Sequence, residues 1–250
     1  MFRSCSMGLL LFFFAALGFA GDGKEFRVAI PAGLAPPLLF EGKPGEYKGL
    51  VAEYSEALAQ AMGRKSELSL VTRYRLDGYL LSGKMDALCY TSKAWASNQN
   101  KLDFSKPLFL KREVIIGPAP MPKTLKDLEG RTIGTMLQYV YPKLDPLFES
   151  KKLIREDSLS EEANLKKLLN GRIHYVVTDE IFIDYFGVEN PRINRKRDRL
   201  FMQEYPIACS ISRKGHITVK ELNAAIDELH ASGKLESMFK KYGTALRRPK

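Results

Sequence analysis

GKMDALCYTSKAWASNQNKLDFSKP, residues 83–107, decides how this chain is read. The run 85–90 is apolar apart from Asp86 and reads as a buried strand. Residues 91–102 make a polar and aromatic loop, and Asp103-Phe104-Ser105 follows with Pro107 close behind. A buried strand that opens into such a loop places side chains at the carboxyl edge of a sheet. Open α/β sheets bind ligands there, because strand ends and helix N-termini leave backbone donors free. One α/β unit precedes this stretch and another follows it, so a binding site is expected between the two.

In the first unit, residues 26–30 read as a strand leading into a Gly/Pro-rich loop over 31–49, which carries Phe40 and Tyr47. Leu50, Tyr54, Ala57, Leu58, Ala61 and Met62 share one face of a helix over 50–62, stopped by Gly63. A strand at 66–71, a short helix at 76–81 closed by Gly83, and the strand at 85–90 complete a parallel sheet with right-handed crossovers. The second unit repeats the plan without repeating the residues. Strands are expected at 113–117, 131–135 and 173–178, with helices at 123–129 and 161–169. Ser158 and Glu161 are spaced as a capping box for the latter helix, and Gly171 stops it. A strand at 206–212 then precedes two helices. The first opens on a Thr218/Glu221 capping box and buries Leu222, Ala225, Ile226 and Leu229; the second spans 234–241.

Residues 1–20 read as a secretory leader: Arg3 is the positive end, 8–19 the short apolar run, and Gly18 and Ala20 the small residues before cleavage. Cys5 precedes the apolar run and so cannot be a lipid-bearing cysteine that follows one. The mature chain is expected to be exported, soluble and periplasmic. Without Arg3 it has 38 basic and 29 acidic side chains, a net charge of +9. Export argues against nucleic acid as the reason for that charge. The densest basic run, RINRKRDR at 192–199, also lacks aromatic residues for stacking on bases, and reads as solvated surface able to steer anions. Cys89 and Cys209 each lie in an apolar strand. Two buried core residues is the simpler reading, and the oxidising compartment also permits a bridge.

The motifs, in order, are the Pro36-Pro37 loop, Gly83-Lys84-Met85-Asp86, Asp103-Phe104-Ser105-Lys106-Pro107, Lys126-Asp127-Leu128-Glu129-Gly130, and Gly171-Arg172 before a strand ending in Asp179. Gly233-Lys234-Leu235 and Lys240-Lys241-Tyr242 close the series. Together they resemble the periplasmic solute-binding proteins of polar amino acid ABC transporters, extracellular solute-binding family 3. The resemblance implies an α/β fold of type II with two lobes, each a mostly parallel sheet flanked by helices, joined by two hinge strands. Lobe one would comprise residues 24–108 and 206–247, and lobe two residues 109–205. It also implies a monomer that closes on a small ligand and delivers it to an inner-membrane permease. A membrane receptor in place of the permease, making the chain a sensor, uses the same lobe surfaces and stays open as an alternative.

The resemblance further places the ligand residues. Relatives carry an arginine five residues before the Asp-Phe-Ser aspartate, whose guanidinium fork clamps a ligand carboxylate. Here that position is Asn98. Tyr90, Thr91, Ser92 and Lys93 stand where small hydroxyl residues usually line the site. Trp95 follows in the same loop, and Gln138-Tyr139 replaces a Gly-Thr-Thr type turn. Asp179 alone keeps the family character, as a carboxylate for the ligand's amino group. The expectation is a more aromatic pocket, less suited to standard α-amino acids, with Trp95 and Asp179 gripping the ligand from opposite lobes. Two bland readings stand beside it: Lys93 supplies the missing charge, or Tyr90 and Trp95 are core residues. Asp179 can also cap a helix over 180–185.

Catalysis is not expected. His174, His216 and His230 lie apart from any metal-ligand spacing, and no nucleophile elbow, Walker loop or GxGxxG occurs. Some proteins of the resembled fold are dehydratases, and Glu41 and Asp179 offer carboxyls, but the clamp arginine is missing. No cofactor, metal or fused domain is expected.

Overall fold

The computed structural model describes residues 25–43, 45–137, 139–190 and 199–249. The leader at 1–20, Gln138, and all of the basic run except Arg199 lie outside the described residues.

The chain runs β1 (Glu25–Pro31), β2 (Phe40–Glu41), β3 (Tyr47–Lys48), α1 (Leu50–Ala61), β4 (Lys65–Val71), α2 (Arg73–Ser82), β5 (Ala87–Thr91), β6 (Asp103–Phe104) and β7 (Phe109–Ile116). It continues with β8 (Thr132–Met136), α3 (Asp145–Glu149), β9 (Ile154–Ser158), α4 (Glu161–Leu169), β10 (Tyr175–Asp179), α5 (Glu180–Glu189), β11 (Leu200–Ile211), α6 (Val219–Ala231) and α7 (Lys234–Lys241). The main sheet orders its strands β4-β1-β5-β11-β7-β10-β8-β9. Strands β4, β1 and β5 are parallel, as are β9, β8 and β10. In each half the first strand in sequence lies between the next two, so the repeat of plan read from the sequence holds in space. An antiparallel strand then flanks each trio, β11 beside β5 and β7 beside β10. Those two pair with each other and join the halves into a two-lobed fold.

Each half buries both faces. Tyr54 and Leu58 of α1, Ile226 of α6 and Phe239 of α7 cover one side of the first half, and Leu76 and Leu80 of α2 the other. In the second half, Ile133 and Val177 pack with Tyr141 and Leu144 on one side, and Val176 with Leu165, Phe182 and Ile183 on the other. Fully buried parallel strands need apolar residues on both faces, as the runs in β1 and β5 have.

Asp86, just before β5, is completely buried and ties the first half together. Its carboxylate accepts from Arg27 N at 2.9 Å, Arg27 Nε at 3.1 Å, Arg27 Nη2 at 2.7 Å and His216 N at 2.9 Å. Burial opposes the charge, but the guanidinium and the backbone donors win and hold the carboxyl below its ordinary range. Gly215 passes so close that a Cβ there would sit 2.8 Å from Asp86 Oδ1. Gly83, the left-handed stop of α2 at φ 78°, would likewise place a Cβ 2.8 Å from Lys214 O.

Several elements differ from the sequence reading. The cap of α4 is Ser160, whose side chain accepts from Ala163 N, while Ser158 is still paired in β9 opposite Met136. The segment at 123–129 is a single 3-10 turn, Leu125–Leu128, with its own Thr124/Asp127 capping box. Strand β11 begins at Leu200, six residues earlier than expected, because it pairs with β7 before reaching β5. Strand β9 and the small hairpin of β2 and β3 were not expected at all. Cys89 and Cys209, left open above, form a disulfide between β5 and β11. Among the described residues no helix is long and apolar enough to cross a membrane.

The disulfide closes a separation of 120 residues. Reducing it, or replacing both cysteines with alanine, should cost about 2–4 kcal/mol of stability; urea unfolding with and without dithiothreitol measures this. Asp86→Ala strands the partly buried Arg27 and should cost about 3–5 kcal/mol, the range for breaking a buried pair. An unchanged unfolding midpoint would refute the tie described for Asp86.

Candidate functional site

Strands β5, β7, β10 and β11 bring their polar side chains to one place, and the register shows how. Residues two apart share a face of a strand, so Lys111 and Glu113 of β7 point the same way. Lys111 lies opposite Tyr205 of β11, and Glu113 lies between Gln203 of β11 and Asp179 of β10. Five polar residues thus converge at the join between the halves.

The Lys111 ammonium is the hub. Its Nζ lies 3.5 Å from Glu113 Oε1 and 3.6 Å from Asp179 Oδ2, and its side chain is only 12% exposed. It also stands 5.6 Å from the ring centre of Trp95 and 6.0 Å from that of Tyr205, within cation–π range. Those two rings meet edge-on, 4.9 Å apart. Gln203 Nε2 donates to Glu113 Oε2 at 2.7 Å and also bonds the Tyr205 hydroxyl. Asp179 caps α5 by accepting from Ile181 N at 2.9 Å, and accepts from Tyr90 Oη at 3.3 Å. Its capping role and its place at the β10 edge therefore coexist.

Burial sets the protonation. It works against the charge on Lys111, but Asp179, Glu113 and Glu161 outweigh it and keep the ammonium protonated above its usual range. It raises the Asp179 carboxyl, with Lys111 opposing only in part. Burial also pushes Glu161 up to about 8, against Lys111 and a 3.0 Å hydrogen bond from Thr178 Oγ1. The Tyr90 phenol, buried beside Asp179, stays a neutral donor.

The other residues singled out in the sequence fall at varying distances from this hub. Thr91 ends β5, buried opposite Ala208. Lys93 is exposed in the 3-10 turn Lys93–Trp95. Asn98 faces back to α2, donating to Asp77 Oδ2 at 2.6 Å alongside Ser97. Tyr139 packs under Arg73, whose guanidinium carbon is 4.6 Å from its ring centre and which also hydrogen-bonds its hydroxyl. That contact links α2 of the first half to the loop after β8. Arg155 fixes the same loop, donating to Tyr139 O at 2.9 Å and pairing with Asp145 and Asp157.

Lys111, Glu113, Gln203 and Tyr205 escaped the sequence reading as site residues, and Glu161 enters it only as part of a helix cap. The signal was present: charges at 111–113 flanked by Phe109-Leu110 and Val114-Ile115-Ile116 are costly inside a strand unless something pairs with them. Among the described residues, no group of His, Cys, Asp and Glu is arranged to hold a metal ion.

The family model for bacterial extracellular solute-binding proteins, family 3, matches residues 26–245. A probable histidine-binding protein of Neisseria gonorrhoeae is 27% identical over 246 residues, covering 91% of this chain and 86% of its own. The probable amino-acid-binding protein YxeM of Bacillus subtilis (strain 168) is 23% identical over 202 residues, covering 79% and 76%. Among solved structures, an ancestral arginine-binding protein bound to arginine superposes with a TM-score of 0.66 at 20% identity, covering 87% of this chain and 97% of that one.

Glu161 makes the site sensitive to pH. The unfolded chain loses this proton near the ordinary glutamate value of roughly 4.3, whereas the folded chain keeps it to about 8. Folding therefore binds a proton between those values, and its contribution to stability falls as pH rises through that window. The slope approaches about 1.4 kcal/mol per pH unit. Melting temperatures of wild type and Glu161→Gln from pH 5 to 9 should diverge across the window, with the variant gaining on the wild type as pH rises. Parallel profiles would refute it.

Proposed function

Because the chain belongs to the bacterial extracellular solute-binding proteins, family 3, we propose that it captures a small polar ligand between its lobes. It then hands that ligand to the inner-membrane permease of an ABC transporter. The chain acts in the periplasm as a monomer after loss of a leader at 1–20, and it carries out no catalysis. Lobe one comprises residues 24–108 and 206–247, and lobe two residues 109–205. Tyr90, Thr91, Lys93, Trp95 and Asn98 of lobe one, and Tyr139 and Asp179 of lobe two, line the ligand site; Gln138, expected beside Tyr139, lies outside the described residues.

The ligand is not a standard α-amino acid. One observation carries this reading: Asn98 spends its amide on Asp77, 2.6 Å away, and so presents no charged fork to a carboxylate. Asp179 supports it, since its carboxylate is already engaged by Lys111, Tyr90 and the start of α5. The aromatic faces of Trp95, Tyr205 and Tyr139 suit a ligand with a flat or apolar portion.

A thermal-shift screen of amino acids, amines, short peptides and organic acids identifies the ligand, since specific binding stabilises by mass action. The standard amino acids should give little or no shift. A confirmed ligand should compact the protein in small-angle scattering and alter the fluorescence of Trp95, the single tryptophan. Trp95→Ala should weaken its binding by about 0.5–2 kcal/mol. Tight calorimetric binding of several standard amino acids would overturn the specificity, and a shape unchanged at saturation would overturn closure.

A further inference from the structure

Lys111 needs a reason for being where it is. A buried ion pair adds little net stability over apolar residues of the same volume, so its presence calls for another role. The ammonium does not merely meet a carboxylate. It has Glu113 and Asp179 at 3.5 and 3.6 Å, and the faces of Trp95 and Tyr205 at 5.6 and 6.0 Å. Those four groups arrive from β7, β10, the loop after β5, and β11. Two buried carboxylates with two aromatic faces, that of the buried Tyr205 and that of the 42% exposed Trp95, are the chemistry that recognises an alkylammonium ion. The cation found there belongs to the chain itself.

We propose that Glu113, Asp179, Trp95 and Tyr205 form an ammonium subsite that Lys111 fills as a tethered cation, so that Lys111 sets specificity by excluding ligands that bring an ammonium of their own. This rests on the cleft being the ligand site, as proposed above. A free ammonium ligand must displace one held at high effective concentration by its own backbone. It must also find another place for a charge that would otherwise be buried beside it. Ligands that suit the cleft leave the Lys111 ammonium in place and use the polar and aromatic surface around it, including the exposed part of Trp95. Lys93 does not serve as the cation here, being exposed on the loop.

Lys111→Ala removes a fragment equivalent to n-propylammonium, which makes that ion a probe for the subsite. Calorimetry of wild type and Lys111→Ala with n-propylammonium, L-arginine and L-histidine should show no saturable binding to the wild type. The variant should bind n-propylammonium saturably, and at least one of the amino acids at least tenfold more tightly than the wild type does. Lys111→Met, which fills the space without a charge, should bind none of them. If Lys111→Ala does not fold alone, n-propylammonium should restore its melting transition in a dose-dependent way, and adding Glu113→Gln should restore it without the ion. Absence of amine binding and of rescue in Lys111→Ala and in the double variant overturns the subsite while leaving the proposed specificity standing. Amino acids binding equally to wild type and variant would overturn both. Wild-type binding of amino acids that is lost in Lys111→Ala would make Lys111 a clamp for the ligand, which also overturns this proposal.

Discussion

The antiparallel pairing of β7 with β11 is the constraint on which the rest of this molecule depends. Phe109 lies opposite Ile207 at one end and Ile115 opposite Leu200 at the other. The same β11 then continues to pair with β5 and β6. Because one strand belongs to both half-sheets, the chain can leave the first unit, build the second and return without breaking the ladder. The pairing also fixes which side chains meet between the units. Lys111, Glu113, Gln203 and Tyr205 are all carried by these two strands, so the register that joins the halves is also the register that assembles the charge cluster. A shift of one residue would turn every one of them to the opposite face.

Two buried aspartates show how differently this fold treats the same group. Asp86 receives a guanidinium and two backbone amides, one from Arg27 and one from His216, and its carboxyl is held below the ordinary range. Its surroundings satisfy it, and it serves the architecture. Asp179 has one backbone donor, a phenol at 3.3 Å and an ammonium at 3.6 Å, and burial carries its carboxyl upward. A carboxylate whose burial outweighs its partners, at the junction of two lobes, is the kind of group that functional sites keep. Nearby Glu161, pushed up to about 8, has the same character.

The first unit was almost wholly legible in the sequence, because its signals are local. Alternating and continuous apolar runs, Gly63 and Gly83 as stops, and the Asp-Phe-Ser turn each act within a few residues. What escaped depends on distant partners. The sequence IREDS of β9 is polar and mostly unburied, an edge strand made by pairing with β8 and by nothing in its own pattern. Ser158 fits the capping-box spacing better than Ser160, yet the ladder claims it, and Glu161 is released to accept from Thr178. The site suffered most. Asp179, Tyr90 and Trp95 announce themselves at a strand end and in a loop, but Lys111 lies in the part of its strand that precedes the expected start. That strand begins at Phe109, four residues before the expected 113, and the role of Lys111 appears only when β10 and β11 are laid beside it.

The segment following α7 carries a consequence of its own. Leu110, opposite the N–H-less Pro206, donates its amide outward to Arg247 O at 2.8 Å. Thr244 Oγ1 donates to Asp184 Oδ2 at 3.3 Å, and Arg247 Nε to Glu180 Oε2 at 2.5 Å. Among the described residues no helix or strand lies beyond Lys241, so a deletion from 244 onward would spare every regular element. It would nonetheless strip a backbone partner from the strand that bears Lys111 and unclip α5, which begins at the Asp179 cap. Such a lesion would look silent on a secondary-structure map and still loosen the joint, which makes this short tail a mechanical part where length alone would suggest an ornament.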